Sequence, residues 1–324
     1  MALLKIEKTN FHFECFEKRR IPCAYTGVIG PVRAMLDPNC GKKAQPHLQL
    51  VNCLPPYLGI DQRHLHPSMG CFRADYRLGF AMDLSMAASA REFLRQQLGK
   101  KPYKNLRQDR QRLERDHQIT FEVYRHTIDP VSCRNLLDKL RGFIRQRFRG
   151  REGKHVALNR WTEYEASVYT DILAGRASLF VLSSGAAPIA IALNYHLEPR
   201  IFNAAIISFD AAYARYSPGR LMFLYQLEWC YAHKYRLIDT GWGSLEYKIK
   251  FANAVYRYQT HALYPKGNIL LAILAWGALQ LMRLKYYLVM LRDRRLTPPE
   301  KAYQGRWLDG ESVQQELQTS GTHG

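Results

Sequence analysis

The chain has 324 residues, 47% of them hydrophobic, which is enough to bury one large core or two moderate ones. Its 47 lysines and arginines exceed its 28 aspartates and glutamates, and the resulting charge of +19 attracts polyanions such as nucleic acid, anionic lipid or phosphorylated cofactors. The seven cysteines are odd in number and form no C-x-x-C pair, which argues against a disulfide framework and favours a reducing compartment.

The first residues, MALLKIEKTNFHFECFEK, do not have the pattern of a secretory signal. Charges at Lys5, Glu7 and Lys8 interrupt the apolar stretch that such a signal requires. We therefore expect a cytoplasmic protein.

The first 117 residues change character near residue 86. Before it, residues 47–54 and 78–85 have the composition of strands, and turns rich in proline and glycine separate them. After it the chain is basic, and Leu106 and Leu113, seven residues apart, predict one apolar face of a helix. Pro102 predicts the break between this helix and a preceding one, because proline removes a helix donor.

From residue 119 onwards helices and strands follow in a regular order. Strands are predicted at 119–125, 177–184, 187–197, 200–210, 235–240 and 255–265, and helices at 129–150, 161–173, 218–233 and 244–253. Three antiparallel strands followed by helix, strand, helix and strand predict an α+β fold, in which helices cover a mostly antiparallel sheet.

The segment ARYSPGR, residues 214–220, begins the helix after the three strands. Ser217 suits an N-cap, Pro218 suits the first helical position, and Gly219 leaves the backbone accessible. A helix N-terminus presents unpaired N–H donors and partial positive charge, and Arg215 and Arg220 add formal charge. The alternative is an ordinary, well-capped helix start.

The stretch YARYSPGRLMFLYQLEWCYAHKYRLIDTGWGSLEYKIKFA, residues 213–252, resembles the GNAT acyltransferase superfamily, in particular its CelD-like and FemAB-like branch. The shared pattern is a Tyr-Ser-Pro-Gly helix start, a strand ending in Asp, a Gly-x-Gly turn and then Glu-Tyr-Lys. The usual pyrophosphate loop of the superfamily, Gln/Arg-x-x-Gly-x-Gly/Ala, is missing, and the Tyr-Ser-Pro-Gly-Arg segment takes its place. The resemblance covers about 150 residues and is weak over the first 80.

The resemblance implies a GNAT-like α+β fold built from two tandem halves. The implied divisions are a degenerate N-terminal half (1–98), a C-terminal acyltransferase domain (99–267), a hydrophobic and basic helix (268–296) and a flexible tail (297–324). It also implies acyl-CoA, most simply acetyl-CoA, as the co-substrate, an amine as the acceptor and no metal. The residues expected to bind the CoA are Arg215, Tyr216, Ser217, Pro218, Gly219 and Arg220.

Four residues are candidates for the chemistry of acyl transfer, which needs an amine to lose a proton and a thiolate to leave. Asp239 accepts the amine proton or orients the acceptor, and Glu246 is a second candidate base. By resemblance, Tyr247 protonates the thiolate, while Lys248 pairs with one of the two carboxylates or contacts phosphate.

Each of these residues also has a structural interpretation. Asp239 caps the turn at 241–243, Glu246 forms a surface pair with Lys250, and Tyr247 packs in the core.

The histidines do not predict a metal site. His64 and His66 are two residues apart, but no third ligand lies nearby in the sequence. His196 and His261 fall on predicted strands and are expected to be structural or acceptor-site residues.

The segment 268–296 raises the question of a membrane. Its charge-free part, residues 268–282, is shorter than the roughly 20 residues of a membrane span. Its basic and aromatic flank suits a helix that lies in the interface of an anionic membrane, and the alternatives are a helix packed on the domain and, against the length rule, a membrane span. An interfacial helix would make the protein peripheral on the inner face of the membrane.

A nucleic-acid-binding protein is the rival from another class. The basic segment 100–115 favours it, since rows of lysine and arginine neutralise phosphates. No helix-turn-helix, zinc finger or RNA-recognition signature is present, and aromatic residues are not interleaved with the basic ones. The resemblance implies instead an N-acyltransferase that acts on a small molecule, sugar or cell-envelope precursor, with the exopolysaccharide or envelope metabolism of its branch as the expected setting. The open alternatives are an aminoacyl-tRNA-dependent FemAB-like transferase and a non-catalytic basic binding protein.

Overall fold

The computed structural model describes residues 6–26, 35, 47–149, 155–197, 200–242, 246–292 and 306–308. The chain divides into two compact units. The first contains Met1–Ala81 and Trp242–Gly324, and the second contains Met82–Gly241. The division of the sequence at residues 98 and 267 stays a prediction.

The second unit is built on a five-stranded sheet. Its elements are α2 (Ala90–Leu98), α3 (Lys100–Asp116), β4 (Ile119–Tyr124), α4 (Pro130–Phe148), α5 (Val156–Asn159), α6 (Trp161–Leu173), β5 (Ala177–Ser184), β6 (Ala187–Leu197), β7 (Ile201–Phe209), α7 (Pro218–Ala232) and β8 (Leu237–Trp242). The strand order is β8-β7-β6-β5-β4. All neighbouring strands are antiparallel except β7 and β8, which are parallel. This confirms the predicted α+β fold with a mostly antiparallel sheet flanked by helices.

Helix α4 shows how the sequence specifies these elements. Asp129 caps its start, with the carboxylate Oδ2 accepting from the Ser132 N–H at 2.8 Å, and Pro130 occupies the first helical position. Leu137, Leu140 and Phe143 recur at helical spacing and are buried. The helix therefore packs its apolar side against β6 and β7.

The break between α2 and α3 is not at Pro102. It falls at Gly99, whose φ of +76° a side chain would strain. Pro102 lies in the first turn of α3, where backbone N–H groups have no intrahelical acceptor and proline costs little. Leu106 and Leu113 are both buried, so the predicted apolar face is confirmed.

Among the described residues, the first unit contains five further strands. Its elements are β1 (Ile6–Asn10), α1 (Phe11–Phe16), β2 (Leu48–Leu54), β3 (Met69–Asp83, of which 69–81 belong here), α8 (Glu246–Phe251), β9 (Ala254–Pro265), α9 (Ile269–Arg292) and β10 (Arg306–Trp307). β9 runs antiparallel between β2 and β3, while β1 is parallel to β2 and β10 is parallel to β9. Helix α9 packs on β9 and β2.

Two further features concern the tail and the cysteines. Of the predicted tail at 297–324, the structure describes only residues 306–308, and Leu308 is buried there. Cys23 is disulfide-bonded. The free cysteines among the described residues are Cys15, Cys53, Cys71, Cys133 and Cys230. The odd cysteine count argues against a framework of several disulfides. It does not exclude a single disulfide between cysteines that the fold brings together.

Candidate functional site

The parallel strands β7 and β8 pair over a short length only. Ile201 lies opposite Leu237, and the last pair is Asn203 opposite Asp239. β7 then continues to Phe209 without a strand partner on this side among the described residues. The second unit therefore has an open strand edge beyond Asn203.

A β-bulge in β7 explains why the two strands part at this point. Leu193 of β6 pairs with Ile206 and Tyr195 pairs with Asn203, so β7 carries one extra residue within Ala204–Ala205. A bulge bends its strand and increases the local twist. The bulge directly follows the last β7–β8 pair, and bulges of this kind are over-represented beside active sites. In the sequence, two adjacent alanines inside a predicted strand are the only sign of this bulge.

The start of α7 lies against the end of this open edge. A Cβ on Gly219 would come within 3.2 Å of Phe209 Cε1, so glycine permits a close approach of the helix to the end of β7. Pro218 is buried at the first helical position, as the sequence predicted. The short 3₁₀ turn Ala211–Tyr216 connects the strand to the helix.

Ser217 occupies the predicted N-cap position, but its side chain does not cap the helix. Its backbone is left-handed (φ +56°, ψ +48°), a conformation that costs a non-glycine residue roughly 1 kcal/mol and that clusters at functional sites. Its Oγ accepts instead from Arg220 Nη2 at 2.8 Å. This corrects the expected side-chain cap.

Fewer backbone donors are free at this helix start than the sequence suggested. The N–H groups of Arg220 and Leu221 both donate to the Ser217 carbonyl, at 2.9 and 3.2 Å. Pro218 has no N–H. The Gly219 N–H is therefore the donor left to meet an anion, together with the helix dipole.

The arginines beside this turn are held by hydrogen bonds and ion pairs. Arg220 Nη2 lies 2.8 Å from Asp109 Oδ2 of α3, and Arg112 Nη2 donates to the carbonyl oxygen of Arg215. Both guanidinium groups are nevertheless about half exposed, at 47% and 45% of the side chain. They remain accessible to an anion at the start of α7.

Tyr216 supports the turn from within. Its ring is buried, with Arg215 over one face at 4.7 Å from the ring centroid. Its hydroxyl donates to Asp116 Oδ2 at 3.0 Å and accepts from Arg215 Nη2 at 2.6 Å. Hydrogen bonds from Arg115 and then from Tyr216 lower the pKa of Asp116. The six residues expected to bind CoA thus divide into exposed groups and the residues that position them.

Asp239 lies at the point where β7 and β8 part. Its side chain is fully buried, and its Oδ1 accepts from the Gly241 N–H at 2.7 Å, which is the turn-capping contact considered from the sequence. Asn203 Nδ2 reaches the Asp239 carbonyl oxygen at 3.5 Å. The strand thus places a carboxylate where the open edge begins.

The other three catalytic candidates lie in the first unit, on α8. Lys248 Nζ donates to the Trp242 carbonyl oxygen at 3.1 Å. The side chains of Glu246 and Tyr247 lie outside the part of the chain that the structure describes. The roles of Glu246, Tyr247 and Lys248 therefore stay predictions.

A buried polar group adjoins the open edge and was not singled out from the sequence. Ser208 of β7 is 1% exposed, and its Oγ has no hydrogen-bond partner. An unsatisfied buried hydroxyl is costly and calls for a ligand or water. Ser208 lies in the part of β7 beyond Asn203, where the described residues of β8 no longer pair with it.

The remaining candidates do not form a site with these residues. His196 is buried on β6, between Tyr235 OH at 2.8 Å and Ser178 Oγ at 2.9 Å. A surface groove of about 490 Å³ follows α4 from Asn135 to Gln146 and reaches Asp210. Among the described residues, no group of three or more His, Cys, Asp or Glu side chains is placed to hold a metal ion.

The family model of the GNAT acetyltransferase domain matches residues 100–249. No curated protein matches this chain.

Three solved structures illustrate the level of structural likeness. One is a conserved protein of unknown function from Bacteroides thetaiotaomicron, with a TM-score of 0.45 and 13% identity over 67% of this chain and 70% of that one. FemX gives 0.43 and 10% over 62% and 65%. A tandem GNAT protein from the clavulanic acid biosynthesis pathway gives 0.36 and 11% over 68% and 65%. Likeness at this level is weak, and the assignment depends on the family model.

Residues 100–249 therefore match a GNAT acetyltransferase domain, which confirms the resemblance to the GNAT superfamily stated from the sequence. The matched segment begins at α3 and ends within α8. It contains the open β7–β8 junction, the start of α7 and Asp239. The matched segment thus indicates a transferase domain of this superfamily, as the sequence pattern predicted.

Proposed function

We propose that this protein is an N-acyltransferase that moves an acyl group, most simply acetyl, from acyl-CoA to an amine. The parting of β7 from β8 beside the start of α7 carries the proposal. An extended arm that contains amides can pair with an open strand edge as another strand would. The pantetheine arm of CoA has this chemistry.

Groups beside the open edge would hold the pyrophosphate and support the arm of the donor. The Gly219 N–H and the α7 dipole suit the pyrophosphate, with Arg220 and Arg112 adding positive charge. The unsatisfied Ser208 hydroxyl suits an amide of the arm. No metal ion is needed for any of these contacts.

In the proposed reaction, Asp239 of β8 and the three candidates of α8 have the roles that the resemblance implies. The amine nitrogen attacks the thioester carbonyl carbon, the C–S bond breaks, and an amide forms. Asp239 or Glu246 takes the amine proton, Tyr247 returns a proton to the CoA thiolate, and Lys248 orients a carboxylate. The acceptor we favour is an amine on a small molecule, sugar or cell-envelope precursor, in line with the branch that the sequence resembles. We expect the protein to act in the cytoplasm, at the inner face of the membrane.

The aminoacyl-tRNA-dependent alternative has one observation in its favour. Lys101, Lys104 and Arg107 on α3 are exposed, and a polyanion would attract such a row of cations. The GNAT family match fits either donor. A non-catalytic basic binding protein would use the same surface.

Calorimetry with acetyl-CoA, CoA and an aminoacyl-tRNA tests the proposal. We expect acetyl-CoA to bind to the full-length chain, and CoA to compete with it. Gly219→Val should weaken binding by about 10- to 100-fold, because it displaces the one free N–H and clashes with Phe209. The matched control is Gly142→Val in α4, where an added Cβ meets nothing within 4 Å. Binding of aminoacyl-tRNA without binding of acetyl-CoA would support the alternative.

A further inference from the structure

Helix α9 exposes an apolar face along its whole length. Ile269, Ile273, Trp276, Leu281, Leu284 and Leu288 are each at least 53% exposed. The window Ile269–Val289 has a mean hydropathy of 1.4, and only 17% of it is buried. A contiguous, exposed apolar patch on a protein surface marks an interaction site. We call these six residues the outward face of α9.

The opposite side of α9 is fixed to strands of the first unit. Leu271, Ala275 and Leu279 are buried, and Ala275 and Leu279 pack with Leu50 and Ala262 of β2 and β9. A helix that crosses lipid cannot keep these strands beside it, because exposed loops and sheet edges do not enter the hydrocarbon region. The helix can meet a membrane only by lying along its surface, with about 36 Å of length parallel to it.

The charges around the outward face fit an anionic surface. At 3.6 residues per turn, Arg283 and Lys285 lie about 100° on either side of Leu284, so an exposed cation stands at each edge of the apolar face. No aspartate or glutamate occurs between Lys266 and Arg292. Trp276 and Tyr287 are exposed here as well, and both ring types favour the headgroup level of a bilayer.

We infer that the outward face of α9 docks flat into the interface of an anionic membrane. Its apolar side chains enter the boundary between headgroups and acyl chains, while Arg283 and Lys285 reach the lipid phosphates. A second copy of the chain is the alternative occupant, and it would gain nothing from the two cations beside the apolar face, since the described part of α9 offers no carboxylate to pair with them. The inference does not depend on the acyltransferase activity.

Vesicle flotation of the full-length protein tests this inference. We expect the protein to float with vesicles of 70% phosphatidylcholine and 30% phosphatidylglycerol, and much less with pure phosphatidylcholine. Arg283→Gln with Lys285→Gln should lower binding to the anionic vesicles by roughly 20- to 30-fold. Ile273→Ser with Leu284→Ser and Leu288→Ser should abolish it.

The matched control removes exposed apolar side chains elsewhere. Val131 and Val156 are 65% and 50% exposed, so Val131→Ser with Val156→Ser should leave flotation unchanged. Far-ultraviolet circular dichroism checks that each variant is folded. A folded triple variant that floats as well as the wild type would overturn the inference. So would a wild-type chain that stays off the vesicles, whether or not light scattering shows a dimer. If the triple variant does not fold, an unchanged tryptophan emission of the wild type on addition of anionic vesicles, compared with Trp276→Phe, would also overturn it.

Discussion

The pairing of β3 with β9 and the pairing of β7 with β8 show two different uses of a sheet. In the first unit, β3 and β9 stay paired from Met69 opposite Pro265 to Ala81 opposite Ala254, with one irregularity. In the second unit, β7 and β8 pair only over Ile201–Asn203 before a bulge turns β7 away. In the long pairing, backbone N–H and C=O groups of the two strands hydrogen-bond to each other. The short pairing leaves a strand edge whose backbone groups a ligand can bind.

This contrast predicts that substitutions at the two pairings affect different properties. Changes at the β7–β8 junction should reduce binding and turnover with little effect on stability. Changes along β3 and β9 should reduce stability and leave donor binding unchanged.

The largest effect is expected for Asp239→Asn. Loss of a general base lowers turnover by about 100- to 10,000-fold. The asparagine Oδ1 still accepts from the Gly241 N–H, so the fold should persist. Release of CoA from acetyl-CoA in the presence of a panel of primary amines measures turnover. A variant with full activity would remove Asp239 from the mechanism.

The pH dependence of stability at His261, which lies on β9, tests the long β3–β9 pairing. Burial, and to a smaller extent Arg73, lower its pKa from 6.5 to about 4, so the folded chain holds it neutral. Tyr25 OH donates to Nδ1 at 2.7 Å and Nε2–H donates to Gln259 Oε1, which suits the neutral ring.

Because the folded-state pKa is depressed, the unfolded chain takes up a proton first as the pH falls. Stability linked to His261 is complete above pH 6.5 and decreases by about 3 kcal/mol as the pH falls to 4. Urea unfolding at several pH values should show this loss in the wild type, and less of it in His261→Gln. If the free energy of unfolding depended on pH equally in the two proteins, the loss of stability could not be assigned to His261.

Gly79→Ala should destabilise the first unit by about 1–3 kcal/mol. Gly79 faces Tyr256 across the strands, and an added Cβ would overlap the Tyr256 ring. That ring is fully buried and its hydroxyl is bonded to Tyr258 OH at 2.8 Å, so it has no room to shift. Thermal unfolding measures the loss, and calorimetry should show unchanged acetyl-CoA binding. Weaker binding in a folded variant would contradict the separation of the two pairings.

The smallest effect is expected for Gly219→Ala. The Phe209 contact at 3.2 Å requires a small displacement, while alanine restricts the unfolded chain and favours the helix by about 0.4–1 kcal/mol. The two effects nearly cancel, so stability should change by less than about 1 kcal/mol. The same melting experiment applies, with Gly142→Ala as the control. A large loss would show that this junction is packed as tightly as the long pairing.

Several features of this protein followed from the sequence alone. The α+β fold, the order of strands and helices from residue 119 and the buried Leu106 and Leu113 all come from local patterns. Hydrophobic spacing and capping chemistry act over a few residues, so they can be recognised without the fold. The motif of residues 213–252 likewise indicated the GNAT superfamily that the family model matches.

The tertiary structure decided the rest. The bulge at Ala204–Ala205, the left-handed Ser217 and the pairing of Arg220 with Asp109 depend on the partners that the fold supplies. So does the contrast between the two sides of α9, because apolar residues occur all round the helix and only packing on the first unit's strands distinguishes its two sides. Strand registers and contacts between distant residues result from the balance of all the packing interactions, and no short stretch of sequence contains that information.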